Sequence, residues 1–394
     1  MKNRVLVFIP YQDSDNFMSD GILTREFAML YLLWKKGFKT VINLKKPRTI
    51  LDKKHYNINN MYYPNGTIEN KVKTILENSK TIQYLPLISL NQIIKKRAWW
   101  GKGYLGIKKR LFNELSDDKD YLVYSNNPFA VELLEQLKKY GCKIYFDIMD
   151  NFAIHPSLCQ SEREAALRGY NKILTFADCI SANSQQTCDF MAKYSSKKIF
   201  LVKNGVFLNN ETNQIKDCPQ IKQLLSKKTR FSKTVGYVGK LGKRLDENII
   251  KEISDKCKET LFVFVGPYLT GQINDNLIYL FKNSSNVLHL DGIPSAYVYS
   301  MLDQFDILMI PHSVGKNENG GDPLKLYQYM TRSKPIITTP ILGVEEFKDY
   351  IKITSDVQQW IEFIENDCYE DKIIDSNEFA WETRIKPIIS EINL

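Results

Sequence analysis

The stretch that decides the fold is Thr234-Val235-Gly236-Tyr237-Val238-Gly239-Lys240-Leu241-Gly242-Lys243-Arg244-Leu245-Asp246. Residues 234–238 have the length and composition of a buried strand. The glycines after them mark a tight loop, and Asp246 is a capping residue in front of a helical pattern that runs to Lys256. Strand, glycine loop and helix in that order belong to a parallel α/β layer. Gly239 and Gly242 let the backbone approach a ligand closely, and Lys240, Lys243 and Arg244 set cations beside a helix N-terminus, a combination that suits a diphosphate. The spacing matches neither the Gly-x-Gly-x-x-Gly fingerprint nor the P-loop, which argues against a dinucleotide or ATP here. A solvated basic turn would carry the same residues.

The rhythm recurs on both sides. Downstream, residues 261–265, 287–290, 307–310 and 335–338 read as strands, with a helix from about Pro323 to Thr331. Upstream, residues 5–9, 40–44, 121–124, 143–148 and 179–182 read as strands between helical patterns at about 24–36, 128–140 and 162–177. Two open parallel sheets follow, with a seam near residues 202–213, and 394 residues suit two domains better than one core. In such sheets ligands bind at the loops following the carboxyl ends of the strands.

Composition narrows the class. Hydrophobic residues at 43% and charged residues at 25% exclude a mainly disordered, collagenous or membrane-embedded chain. No apolar run approaches the roughly 20 residues that span a bilayer. The apolar stretch after Lys2 and Arg4 ends at Pro10, too soon for a signal peptide, so a cytosolic location is expected. The 7 cysteines form no Cys-x-x-Cys pair and are expected to be buried thiols. The 4 histidines show no metal-ligand spacing; His289 reads as a core histidine, and His312, after Pro311 at a strand end, suits crevice and core equally.

Charge is uneven. Residues 1–203 hold 32 Lys and Arg against 19 Asp and Glu, whereas residues 204–394 hold 22 against 26. The positive excess therefore lies in the first half, where it suits an anionic membrane, nucleic acid or an acidic substrate. Residues 95–110, KKRAWWGKGYLGIKKR, concentrate it from Lys95 to Arg110. As a helix, this segment would align Trp100, Tyr104, Ile107 and Leu111 as an apolar stripe edged by cations. An anionic membrane surface is the favoured partner, nucleic acid is not favoured, and a core stripe with a solvated face is the plain alternative.

A second anion candidate is Gly320-Gly321-Asp322-Pro323-Leu324-Lys325-Leu326-Tyr327-Gln328-Tyr329-Met330. Pro323 suits the first turn of a helix, Lys325 adds a cation to that turn, and Gln328 follows one turn later on the same face. Such a face suits a nucleotide diphosphate and a ribose hydroxyl. Among carboxylates, Asp147 and Asp150 lie at the end of the 143–148 strand on opposite faces, so only one can readily meet a ligand, and Asp150 is the better general base. Asp13, Asp15 and Asp20, in the loop after the first strand, are alternatives, and each is equally suited to a turn.

Together these segments resemble the GT-B glycosyltransferases, particularly bacterial family-four-like enzymes of capsule, teichuronic acid and exopolysaccharide synthesis. The resemblance is clearest over residues 200–345: Lys203-Asn204-Gly205-Val206, Gly236-Tyr237-Val238-Gly239, the segments reaching Gly292 and Pro311, and Pro323 to Met330 with Lys334-Pro335-Ile336-Ile337. It implies two Rossmann-like domains whose parallel sheets face a central cleft. Residues 1–203 would bind acceptor, residues 204–375 would bind the donor, and a C-terminal helix in residues 376–394 would cross back to the first domain. The nucleotide-sugar contacts it implies are Gly239, Lys240, Arg244, Gly266, Gly292, Pro311, Pro323, Leu324, Lys325 and Gln328. Retaining members carry two glutamates eight positions apart; Gly320 and Gln328 stand there, with Glu318 and Asp322 out of register.

The activity expected is transfer of a sugar from a nucleotide diphosphate donor, a UDP-sugar by preference, to a lipid-linked saccharide at the cytosolic face of the membrane. Asp150 or Asp20 would be the base and Lys325 would stabilise the leaving group, with no cofactor and no metal required. An NDP-sugar epimerase of the same fold and a noncatalytic nucleotide-sugar-binding partner subunit are the alternatives.

Overall fold

The computed structural model describes residues 3–49, 63–86, 96–155, 157–208, 218–269, 271–315, 322–366 and 375–392. They form two compact units, Met1–Lys203 with Trp381–Leu394, and Asn204–Ala380.

The first unit is a parallel sheet of β1 (Asn3–Ile9), β2 (Thr40–Leu44), β3 (Lys80–Ile82), β4 (Lys119–Ser125), β5 (Lys143–Ile148), β6 (Cys179–Ala182) and β7 (Phe200–Leu201), in the order β3-β2-β1-β4-β5-β6-β7. Val5, Val7 and Ile9 of β1 pack into the main apolar cluster, and Leu6 and Phe8 on its other face are equally buried. Helices cover both faces, which is why the strand reads as an unbroken apolar run rather than an alternation. The terminal helices Trp381–Arg384 and Lys386–Glu391 belong to this unit. The Arg25 guanidinium lies 5.5 Å from the centre of the Trp381 ring, and Lys35 pairs with Glu382 at 3.3 Å.

The basic aromatic segment differs from a membrane-facing helix. Lys95 lies outside the described residues; beyond it the chain forms a 3-10 turn, Lys96–Trp99, and two short helices, Trp100–Leu105 and Lys108–Phe112, broken at Gly106. Trp99, Tyr104, Ile107 and Leu111 are buried, the last three in the main core, and Trp100 packs edge-on to Phe129. The apolar stripe therefore faces inward. The glycines that weaken the helix permit this: a methyl group at Gly103 would meet Pro47 at 2.4 Å, and one at Gly106 would meet the Tyr84 ring at 2.5 Å. The outer side keeps Lys96, Lys102, Lys109 and Arg110 exposed, with Leu105 as an exposed apolar residue.

The second unit is a parallel sheet of β8 (Lys233–Val238), β9 (Thr260–Val265), β10 (Val287–Leu290), β11 (Ile307–Ile310), β12 (Ile336–Thr338) and β13 (Lys352–Ile353), in the order β10-β9-β8-β11-β12-β13. The direction of winding reverses between β8 and β11, the place in an open sheet where loops diverge and leave room for a ligand. Two loops meet there. Asp246 N donates to the Pro311 carbonyl at 2.8 Å, Ser313 N donates to the Arg244 carbonyl at 2.8 Å, and Leu245 bridges His312.

Candidate functional site

The loop after β8 is shaped by close backbone packing. Gly239 has φ 154°, and a methyl group on it would stand 2.9 Å from Lys325 Nζ and 3.0 Å from Tyr237 Oη. Gly266, after β9, has φ 149° and lies so close to Gly239 that a methyl group would come within 2.0 Å of the Gly239 carbonyl oxygen. His289 Nε2 donates to the Gly266 carbonyl at 3.1 Å, which accounts for that histidine as a core support of the loop. Gly292 packs on Pro267, where a methyl group would meet Cδ at 3.1 Å.

Lys325 enters the space that Gly239 leaves. Its Nζ donates to Tyr237 Oη at 2.7 Å and lies 3.0 Å from His312 Nε2 and 4.2 Å from the centre of the Tyr237 ring. Tyr237 donates its own proton to the Lys240 carbonyl at 3.0 Å. Among the described residues no carboxylate pairs with Lys325, and Arg244 Nε is buried without a hydrogen-bond partner. Burial, and then the Arg244 charge, push the Lys325 amine well below its usual value. Burial, then Lys325 and Arg244, push His312 well below the usual histidine value. Among the described residues, a half-buried amine and a guanidinium edge without a hydrogen-bond partner stand together with no acid beside them, an arrangement that suits an anion.

The remaining donor-side residues divide. Lys240 is exposed, and Pro311 serves through its carbonyl, which accepts from Asp246. Pro323 is not in the first helical turn: it is the N-cap, at φ −77° and ψ 94°, of the helix Leu324–Met330. The extended ψ brings the chain in before the helix begins, and the Pro323 carbonyl accepts from Leu326 N at 2.9 Å. Leu324 and Gln328 are half-buried on that helix, and among the described residues the Gln328 side chain makes no hydrogen bond. Gly320 and Glu318 lie outside the described residues. Asp322 accepts from Asn204 N and from Tyr327 Oη, so its carboxylate anchors the 204–206 segment to the helix.

The carboxylates of the first unit divide as sharply. Asp147 is fully buried, gripped by Arg25 at 2.8 and 2.9 Å and reached by Ser181 Oγ at 2.6 Å and Tyr124 Oη at 3.2 Å. Asp150, past the end of β5, is half-buried, and its carbonyl accepts from Tyr170 Oη at 2.8 Å. Asp13 caps the short helix Ser14–Asp20 and pairs with Arg48 at 3.0 Å; burial and then Asp15 raise it. Asp15 pairs with Lys45. Asp20 is exposed at the far end of that helix and accepts from Ser19 Oγ at 2.7 Å. Among the described residues no group of three or more His, Cys, Asp or Glu is placed to hold a metal ion, and no helix is long and apolar enough to cross a membrane.

Sequence reading missed Tyr237 as a partner of Lys325 and left His312 undecided. Residues 237, 312 and 325 lie on three different elements, and no local spacing links them.

The fold is the GT-B fold of glycosyltransferases, built here from two parallel α/β sheets. Among solved structures, Anabaena Alr3699/HepE in complex with UDP and glucose is similar at 14% identity over 100% of both chains, with a TM-score of 0.65. Sucrose-phosphate synthase from Thermosynechococcus elongatus is similar at 13% identity over 99% of this chain and 98% of that one, with a TM-score of 0.65. A UDP-forming α,α-trehalose-phosphate synthase from Burkholderia vietnamiensis is similar at 10% identity over 100% and 97%, also with a TM-score of 0.65. No family model and no curated protein matches the sequence.

Proposed function

We propose that the protein is a glycosyltransferase that moves a sugar from a nucleotide diphosphate donor, a UDP-sugar, to a lipid-linked saccharide. One observation carries the reading: Lys325 Nζ, hydrogen-bonded to Tyr237 and His312 beside Gly239, has no acidic partner among the described residues. Such an amine is poised for the negative charge that grows on a departing diphosphate, and with Arg244 it supplies that stabilisation from side chains without requiring a metal. The Anabaena structures similar to this chain hold UDP, UDP-glucose, or UDP with glucose, which supports the uridine donor.

In the first unit, Asp150 is the proposed general base for the acceptor hydroxyl, and Asp20, exposed on a helix end, is the second candidate. Asp147 is committed to its ion pair. The exposed Lys96, Lys102, Lys109 and Arg110 support contact with an anionic membrane at the cytosolic face through charge alone, because the neighbouring aromatic residues are packed inward.

The test is turnover of UDP-sugars with a membrane lipid extract, read as glycolipid products by mass spectrometry. Lys325→Ala is expected to lower kcat by about 10²-fold or more, the scale of losing one preorganised donor at a developing anion. Unchanged turnover in that variant contradicts the assignment. Conversion of UDP-sugar without any acceptor would instead identify an epimerase, and binding without turnover a noncatalytic subunit.

A further inference from the structure

We infer that Tyr329 is a positioning residue for the donor site: its hydroxyl stands where a neighbouring strand would bond Val238, and so keeps the helix that carries Lys325 in register with the Gly239 loop. The inference rests on the donor reading proposed above and concerns what holds that site in shape.

The need for such a group comes from the sheet. β8 pairs with β9 as far as Val238, opposite Val265, but its register with β11 consists of Val235 opposite Ile307 and Gly236 opposite Leu308. Beyond Gly236 the two strands part, at the place where the direction of winding reverses. The Ile310 carbonyl, at the end of β11, accepts from His312 N at 3.0 Å and from Thr339 N at 3.2 Å, on the side of β12. The backbone groups on the β11 edge of Val238 have therefore to be satisfied from outside the ladder. Tyr329 does this. Its Oη accepts from Val238 N at 2.9 Å and lies 3.5 Å from the Val238 carbonyl, so one phenol meets the two backbone groups that a parallel neighbour would have met.

Tyr329 reaches Val238 from the helix of the donor site. Residues 325 and 329 lie one turn apart on one face of Leu324–Met330, and both grip the end of β8: Lys325 Nζ donates to Tyr237 Oη at 2.7 Å, and Tyr329 Oη accepts from the next residue along the strand. A helix of 7 residues has little stability of its own and takes its position from such contacts. Gly239, directly after Val238, donates its N–H to the Val265 carbonyl at 2.9 Å. The start of the loop is thus fixed by β9 on one edge and by Tyr329 on the other, with Lys325 set beside it from the same helix. Tyr329 is fully buried, and a side chain so placed acts on a ligand through its neighbours.

The experiment is calorimetry of UDP binding to the full chain and to Tyr329→Phe, Lys325→Ala and the double variant. Tyr329→Phe keeps the ring and removes only the hydroxyl; it is expected to weaken UDP binding by about tenfold, the scale of one hydrogen bond. In the Lys325→Ala background the same change is expected to weaken it little further, because the effect passes through the amine. Equal weakening in both backgrounds, the result of a merely structural role, overturns the inference and leaves the donor site standing, and so does no weakening in either. Reciprocity gives a second measurement that requires no variant. UDP must in turn tighten the Val238–Tyr329 bond, so exchange of the Val238 amide hydrogen in the wild-type chain should slow by about the same tenfold when UDP saturates the site. An exchange rate unmoved by bound UDP overturns the inference as well. Absence of UDP binding to the wild-type chain overturns the donor site and the inference together.

Discussion

Arg25 holds Asp147 in a two-pronged clasp, Nε to Oδ2 at 2.8 Å and Nη2 to Oδ1 at 2.9 Å, with both side chains buried beneath the carboxyl end of β5. The clasp decides between two aspartates three residues apart in sequence. Asp147 is part of the core, and Asp150 stands beyond it.

A variant that breaks the clasp should therefore damage stability. Asp147→Ala leaves Arg25 buried and unpaired and is expected to cost about 3 to 5 kcal/mol. Chemical denaturation measures this directly. Asp150→Asn should leave the denaturation midpoint nearly unchanged while lowering turnover; a large stability loss in it would assign Asp150 a structural role.

The close approach of Gly266 to Gly239 sets the shape of the loop beside Lys325. Gly266→Ala forces a methyl group into the Gly239 carbonyl at a left-handed φ, a strain of about 1 to 3 kcal/mol. The loop has to move. Weaker UDP binding by calorimetry, with a circular dichroism spectrum like that of the wild type, is the expected outcome.

Glu69, in the first turn of the helix Ile68–Glu77, is buried with Oε2 lacking a partner among the described residues, and burial raises its carboxyl to about 7. The folded value lies above the unfolded one, so the folded chain binds the extra proton. Its contribution is fully present below about pH 4.5 and is lost as pH rises through about 7. Glu69→Gln should then stabilise the protein by about 2 to 3 kcal/mol at pH 8 and by little at pH 4. Urea titrations at the two pH values decide it, and equal effects at both would refute the burial argument.

Lys102 and Lys109 are exposed on the basic segment. If the segment meets anionic lipid through charge, replacing both with alanine removes about 1 kcal/mol each and weakens vesicle binding by about thirtyfold, with the wild-type binding abolished by high salt. Co-sedimentation that is unchanged in the double variant removes the membrane contact.

Most strands of both sheets were legible because each is buried on two faces and so reads as an apolar run: residues 40–44, 143–148, 179–182, 287–290 and 307–310 match strands of the structure at both ends. The misses have physical reasons. Lys80–Ile82 is three residues long with one buried side chain, too short to show a period. Ser14–Asp20 is polar enough to read as a loop and becomes a helix through the Asp13 cap and one inward apolar residue, Phe17. The apolar stripe of Trp100, Tyr104, Ile107 and Leu111 was visible, but sequence does not say whether a stripe faces lipid or its own core; the Gly103 and Gly106 contacts decide that.

By itself the sequence determined the alternation of strand and helix and the glycine-bearing loops at the strand ends, because these follow from local periodicity and backbone freedom. Only the tertiary structure decided which charged groups are compensated. Asp147 is neutralised by Arg25, 122 positions away, the Asp322 carboxylate is held by the backbone N–H of Asn204, 118 positions away, and Lys325 has no acidic partner among the described residues. Charge compensation acts through space over a few ångströms, and the chain brings those partners together only when it folds.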